Sequence, residues 1–134
     1  MRTMTPTESA YVAGIIDGEG CIEFKRRKTK RHDRPGKPIY NILIVRMEIP
    51  QVDGRLIDYL IETTKEGSRD MKRYPTKENW KDQHRWRCSY HAVYRVLKQV
   101  QDYLIVKKEK AKLVIDHYEK KFKEKKYGKG KFGQ

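Results

Sequence analysis

Val12-Ala13-Gly14-Ile15-Ile16-Asp17-Gly18-Glu19-Gly20 is the stretch of this sequence that decides the fold. Its apolar half predicts a helix, and Gly14 and Gly18, four residues apart, would lie on one face of that helix. A face of small residues lets a second helix approach closely. A simpler interpretation is a helix that ends in a tight turn, because Asp-Gly pairs are common in turns. The Asp-Gly pair alone is therefore weak evidence, and the choice between the two interpretations depends on all nine residues.

Over its whole length this stretch resembles the LAGLIDADG signature, with Val for Leu, Ile for Leu, Gly for Ala and Glu for Asp at the positions that differ. The chain therefore resembles the single-motif LAGLIDADG homing endonucleases, and the similarity extends roughly from residue 8 to residue 118 through the order of elements. Since the chain holds one motif, the resemblance implies a homodimer formed through the paired motif helices. The residues expected at that interface are Val12, Ala13, Gly14, Asp17 and Gly18.

The resemblance also implies a metal centre and its surroundings. In the family, the acid at the position of Glu19 binds a divalent metal, and the backbone carbonyl before it, of Gly18 here, also contacts the metal. Glu19 is one methylene longer than the more usual Asp. Two copies of the acid near the dimer axis would form a hard-oxygen site suited to Mg²⁺, with Mn²⁺ as a substitute. Polar and basic catalytic residues of the family match Gln51, Arg55 and Lys107, and Lys108 is the alternative to Lys107.

The charge of the chain indicates an anionic partner. Its 134 residues include 32 Lys and Arg against 18 Asp and Glu, which gives a formal net charge of +14. Nucleic acid is the commonest partner of such a protein. The family resemblance implies double-stranded DNA, with RNA possible. No apolar run is long enough to span a membrane, and no signal peptide is recognisable. Cys21 and Cys88 are expected to be reduced thiols in an intracellular protein.

Hydrophobic periodicity predicts helix, two strands, helix, two strands, and two further helices. The first helix is expected over 8–16 with Thr7 as its cap and Pro6 outside, Pro50 is expected to end the second strand, and Asp53 is expected to cap the second helix. A turn is expected over 33–38 and a polar loop over 75–83. The apolar stripe of the last helix is expected to consist of Ala111, Val114, Ile115, Tyr118 and Phe122. This order fits an α+β protein with the αββαββα homing-endonuclease fold, in which helices cover one face of a four-stranded antiparallel, saddle-shaped sheet. The endonuclease domain is expected over 1–124, followed by a basic, disordered tail over 125–134.

Period-2 alternation predicts which strand residues face the open side of the sheet. Leu43, Val45, Met47, Ile49, Trp86 and Cys88 would point inward, which leaves basic and acidic residues outward, where a major groove could lie against them. The side chains expected to contact DNA are Glu23, Lys25, Arg27, Lys28, Lys30, Arg31, Arg46, Glu48, Lys72, Arg85 and Arg87.

These features favour a site-specific endonuclease that makes metal-dependent double-strand breaks at a long pseudo-palindromic site. Two other hypotheses stay open. One keeps the fold without cleavage, as an intron RNA maturase or a DNA-binding regulator. The other is a small basic structural protein, such as a ribosomal or nucleoid component, which would bind any polyanion in a salt-sensitive way.

Overall fold

In the described part of the chain, four helices and four strands follow one another in the order that the sequence predicts. The computed structural model describes residues 3–29, 40–73 and 81–131. The elements are α1 (Pro6–Glu19), β1 (Cys21–Thr29), β2 (Tyr40–Gln51), α2 (Gly54–Thr64), β3 (Ser68–Lys72), β4 (Gln83–Ser89), α3 (His91–Val100), a 3₁₀ turn (Gln101–Tyr103) and α4 (Lys108–Lys131). The predicted turn at 33–38 and most of the loop at 75–83 lie outside the described residues.

The strands form one antiparallel sheet in the order β1-β2-β4-β3. Its inward face is apolar, with Val45, Met47, Ile49 and Trp86 fully buried and Cys88 nearly so. These side chains form one core with apolar residues from all four helices. Burying each large aliphatic side chain stabilises the fold by about 1.5–3 kcal/mol. The predicted α+β architecture is therefore confirmed, and the alternation of strand residues is correct for this face.

The first helix begins earlier than predicted, because its cap is Thr5 and not Thr7. The Thr5 hydroxyl accepts a hydrogen bond from the Glu8 N–H at 3.1 Å, and the Thr5 N–H donates to Glu8 Oε1 at 2.9 Å. This reciprocal capping box satisfies two helix-end donors. Pro6 occupies the first helical position, where its fixed φ is favourable and its missing N–H costs nothing. The helix continues through the whole motif as far as Glu19.

The second strand does not end at Pro50, as the sequence predicts, but continues to Gln51. Pairing of β2 with β1 stops at Glu48 opposite Cys21, whereas pairing with β4 continues through Pro50 opposite Arg85. Pro50 therefore has a neighbouring strand on one side only. The unpaired side tolerates a residue without an N–H, as at a sheet edge.

The helix α4 is described as far as Lys131, so it includes residues 125–131 of the segment that the sequence predicts as a basic tail. Lys and Glu dominate the sequence from residue 119 to residue 126, and both are good helix formers. The buried positions of α4 are Ala111, Val114, Ile115 and Tyr118, and Phe122, the last residue of the predicted apolar stripe, is exposed.

Candidate active site and nucleic-acid interface

The motif helix ends abruptly and leads directly into the sheet. The Gly20 N–H donates to the carbonyl oxygen of Ile16 at 3.0 Å, which closes the last turn. A Cβ atom at residue 20 would lie 2.8 Å from that oxygen, so only glycine fits without a backbone shift. Glu19 is thereby fixed as the last helical residue, one residue before β1.

Asp17 holds the end of α1 against the segment before α4. Its carboxylate accepts hydrogen bonds from the N–H groups of Ile105 at 2.8 Å and Lys107 at 3.0 Å. Burial alone would raise the pKa of Asp17, but the backbone N–H groups of this segment hold that pKa below its ordinary value. Asp17, which the sequence predicts at the dimer interface, accepts these hydrogen bonds from its own chain.

Lys107 meets the end of the motif helix from the same segment. Its Nζ donates to the carbonyl oxygen of Asp17 at 2.8 Å, where a cation also complements the negative end of the helix dipole. Lys108, the alternative, is exposed at the first position of α4. Of the two lysines, Lys107 is the one beside the carboxyl end of α1.

Glu19 itself is exposed and unengaged. Within the described ranges it accepts no hydrogen bond and forms no ion pair, in contrast to Asp17 two residues earlier. The adjacent Gly18 carbonyl lies in the last helical turn, where the helix supplies no further donor. No group of three or more His, Cys, Asp or Glu that could hold a metal occurs among the residues described. At this end of α1 the described residues therefore present one carboxylate and one carbonyl that could hold a metal, which is fewer ligands than a complete site needs.

One face of α1 is uncovered. Gly14 and Gly18 are exposed, and a Cβ added at either would meet nothing within 4 Å. Close to the end of this face, Ile105 and Val106 expose 81% and 70% of their surface. Val12 and Ala13, predicted at the dimer interface, are instead fully buried in the core of the protomer. They lie on the opposite side of the helix, so the sequence prediction was wrong for these two residues.

Gln51 and Arg55 line a different part of the surface. They border an open groove of about 710 Å³ together with Asp53 and with Thr7 and Tyr11 from the first half of α1. Glu19 and Lys107, by contrast, lie at the other end of that helix. No hydrogen bond or ion pair joins Gln51 or Arg55 to Glu19 within the described part of the chain.

The two groove residues are held by local contacts. The side-chain oxygen of Gln51 accepts the Val52 N–H at 2.8 Å. Arg55 pairs with Asp53, the predicted and observed cap of α2, with 2.6 Å between Nη2 and Oδ2. The Arg55 guanidinium lowers the pKa of Asp53 to about 2. The sequence predicted the cap but not the ion pair.

The open face of the sheet carries linked ion pairs. Glu23 contacts Lys25 at 3.2 Å and Arg46 at 3.7 Å, and Glu48 contacts Arg87 at 2.7 Å. Arg27, Lys28 and Lys72 are also exposed on the strands. Lys30 and Arg31 lie outside the described residues. This face is therefore charged, as predicted, although Ile44 of β2 interrupts it as a nearly buried apolar residue opposite Lys25.

Asp70 of β3 belongs to this network and was missed by the sequence interpretation. Its carboxylate accepts hydrogen bonds from the guanidinium groups of Arg85 and Arg87. These contacts hold the pKa of Asp70 below its ordinary value, the bond from Arg87 being the largest cause. Asp70 lies two residues before Lys72 on β3, and residues two apart on a strand point to the same face of the sheet. This spacing could have placed Asp70 on the open face with Lys72.

No helix in the described ranges has the length and hydropathy that a membrane span requires.

No family model matches this sequence, and no curated protein matches it either. Several solved structures, however, are similar to this chain. The homing endonuclease I-CvuI in complex with its target, in the presence of Ca, is 20% identical with a TM-score of 0.61 over 82% of this chain and 64% of its own. The archaeal intron-encoded I-Vdi141I complexed with DNA is 17% identical, with a TM-score of 0.58 over 82% and 65%.

The homing endonuclease I-TnaI is 18% identical, with a TM-score of 0.55 over 86% of this chain and 71% of its own. This chain thus spans slightly less than two thirds of the length of I-CvuI and I-Vdi141I. At such identities the similarity establishes the fold. The protein has the LAGLIDADG homing-endonuclease fold, as the motif predicted.

Proposed function

We propose that this chain is one subunit of a homodimeric, site-specific DNA endonuclease that requires a divalent metal, with Mg²⁺ as the expected ion. The observation that carries the proposal is Glu19, a free and exposed carboxylate at the end of a helix whose glycine face is uncovered. The similar structure of I-Vdi141I is a complex with DNA, and that of I-CvuI is a complex with its target, which supports DNA as the substrate.

The uncovered face of α1 supports the homodimer. Exposed glycines on a helix allow a second backbone to approach closely, and the exposed Ile105 and Val106 would gain from burial against the partner. The contact would use Gly14 and Gly18, with Val12 and Ala13 left in the core. A two-fold dimer reads a target with two related half-sites, which makes a pseudo-palindrome the expected target.

The metal-binding residues would be Glu19 and the carbonyl of Gly18. Carboxylate and carbonyl oxygens fit a hard cation such as Mg²⁺, and one protomer provides too few of them. The partner subunit and the DNA phosphates would complete the set, which explains why a single protomer holds no metal cluster among its described residues. A bound divalent ion supplies charge neutralisation and a more acidic water molecule for phosphodiester hydrolysis.

The protein groups nearby have separate roles in this proposal. Asp17 and Lys107 tie the end of α1 to the segment before α4 and so fix the backbone that presents Glu19. The Lys107 ammonium also stabilises negative charge that develops on the phosphate. Gln51 and Arg55 border the groove beside the first half of α1, at the opposite end of the helix from Glu19. In this proposal they would contact water and phosphate once DNA and the partner subunit are bound.

The open sheet face would lie along each half-site in the major groove. Arg46, Glu48, Arg85 and Arg87 are partly exposed there and restrained by ion pairs, as base-reading residues should be. Lys25 and Arg27 extend this reading surface along β1. Exposed Lys28, and the lysines and arginines that continue the basic run, would contact phosphates, which position the protein without specifying sequence.

Cleavage of a randomised DNA library tests the proposal. With Mg²⁺ we expect double-strand cuts at one near-palindromic site, and with EDTA we expect none. Sequence-specific binding without cleavage in Mg²⁺ or Mn²⁺ would favour a regulator, and preferential binding to intron RNA would favour a maturase. Binding that ignores sequence and disappears with salt would identify a structural polyanion-binding protein.

A further inference from the structure

The carboxylate of Asp70 lies between two arginines of the neighbouring strand. Asp70 is directly opposite Arg85 in the β3–β4 ladder, and Arg87 is two residues further along β4. One oxygen, Oδ2, accepts hydrogen bonds from Arg85 Nη2 and from Arg87 Nη1, the latter at 3.0 Å. The other oxygen accepts the backbone N–H of Met71 at 2.6 Å. The carboxylate is therefore fixed by its own strand while it holds both guanidinium groups.

Arg87 is restrained from the other side as well. Its Nε lies 2.7 Å from Glu48 Oε1 on β2, so the guanidinium bridges carboxylates from the strands on either side of β4. Arg87 and Arg85 keep about a third and a quarter of their side-chain surface exposed. Arginine has five N–H donors in a rigid fork, and Asp70 uses only one from each arginine. N–H donors of both arginines therefore remain for a ligand on the open face. Because the ion pairs already hold the two arginine side chains, these side chains lose little rotamer freedom when the ligand binds.

The charge of this cluster differs from that of the chain as a whole. Asp70 and Glu48 balance Arg85 and Arg87, whereas the chain carries a net charge of +14. A neutral cluster adds little to the salt-dependent attraction for phosphates. Fixed arginine forks are instead suited to the O6 and N7 acceptors of guanine, the commonest base-specific contact in the major groove.

We infer that Asp70 is a specificity-determining residue of the DNA interface, which positions Arg85 and Arg87 for recognition of guanine in each half-site. This inference rests on the proposed function, because it takes the open face of the sheet as the surface that reads DNA. Asp70 acts through the two arginines and is a positioning residue. Its removal should change which bases are preferred more than it changes how tightly DNA is bound.

The test compares base preference at every half-site position for the wild type and Asp70→Asn, measured by binding in Ca²⁺ and by cleavage in Mg²⁺. We expect Asp70→Asn to lose about tenfold or more of the preference for guanine at one or two symmetry-related positions. Affinity for non-specific DNA should stay equal or rise, since a negative charge is removed. Arg87→Lys and Arg85→Lys should relax the same positions, because an ammonium cannot make the bidentate contact.

Asp58→Asn is the matched control. It also breaks an Asp–Arg ion pair, with Arg69, but that arginine contacts the carbonyl of Gly54 on the helix side of the sheet. Its preference profile should equal that of the wild type. An unchanged profile for Asp70→Asn, or relaxation at positions that the arginine variants leave intact, would overturn the inference while the proposed function stood. A wild-type protein with no preferred site would remove the proposed function and the inference with it.

Discussion

At the scale of single residues, the two acids of the motif have different environments although they are two positions apart. The Asp17 carboxylate accepts hydrogen bonds from the backbone N–H groups of residues 105 and 107, so it stabilises the end of the helix. Glu19 is left without a partner in the described part of the chain. This difference separates the acid that fixes the helix end from the acid that is available for chemistry, and sequence alone distinguishes them only through the family resemblance.

The two cysteines also differ, and this difference is directly measurable. Burial raises the pKa of the Cys88 thiol to about 12, while Cys21 is exposed at the start of β1. Since the thiolate is the reactive form, iodoacetamide should alkylate Cys21 in the folded protein and leave Cys88 intact. Peptide mass spectrometry reads the two sites, with urea-unfolded protein as the control in which both react. Equal labelling of both in the folded state would show that β4 is not packed as described.

At the scale of elements, the sequence predicts which strand residues face the core, because this depends on local hydrophobic periodicity. It does not predict where elements begin and end when this depends on contacts with other residues or strands. The inward residues of β2 and β4 were predicted correctly because alternation is a property of the strand itself. The end of β2 was not, because the tolerance of Pro50 depends on which strand stops beside it. The cap of α1 was missed because Thr5 and Thr7 are both able to cap, and the reciprocal bond with Glu8 decides between them.

The candidate site follows the same division. Lys107 was predicted from the family resemblance with Lys108 as its alternative, and only the three-dimensional contact with the Asp17 carbonyl distinguishes the two lysines. The ion pairs of Asp53 and Asp70 depend on local geometry and strand register. The burial of Val12 and Ala13 was missed because a helix with apolar residues on several sides does not reveal which side faces its own sheet. Of the five predicted interface residues, the exposed ones are Gly14 and Gly18.

Gly67, which connects α2 to β3, provides a test of the element packing. Its φ of +82° lies in the left-handed region, and an added Cβ would be 2.5 Å from Nε1 of the buried Trp86. Backbone strain and overpacking together should make Gly67→Ala less stable by about 2–4 kcal/mol in urea unfolding. Lys112→Ala is the control, because it lies at an exposed position of α4 and alanine is the best helix former, so it should not destabilise the protein. Equal unfolding midpoints for Gly67→Ala and the wild type would contradict this account of the turn.

At the scale of the whole molecule, the described residues supply part of the site that the proposed function requires. The described residues form a closely packed core, a charged sheet face and an exposed glycine face on α1. The exposed carboxylate of Glu19 lies at the end of that helix. A second copy would cover the glycines and bring a second Glu19. Catalysis and assembly are thereby linked in the proposed function, since the same helix would serve both.

Gly14→Leu separates assembly from folding. Gly14 is exposed and an added Cβ would meet nothing within 4 Å, so the circular dichroism spectrum should match that of the wild type. Leucine should however keep two α1 helices apart and weaken dimerisation by about tenfold or more, as overpacking of a tight contact does. Sedimentation velocity with and without DNA measures this, and Lys112→Leu, at an exposed position of α4, controls for an added surface leucine. A wild type that stays monomeric on DNA at micromolar concentration would defeat the homodimer.

The most direct measurement of the central claim is the cleavage rate of the selected DNA site by the wild type and by Glu19→Gln, with DNA affinity measured in parallel. The amide keeps the size of the side chain but is a poor ligand for Mg²⁺. We predict unchanged folding, similar affinity and a cleavage rate lower by at least about a hundredfold. Glu19→Asp should retain cleavage, because it preserves the carboxylate. A Glu19→Gln protein that cuts as fast as the wild type would show that Glu19 does not hold the metal and that the active site lies elsewhere.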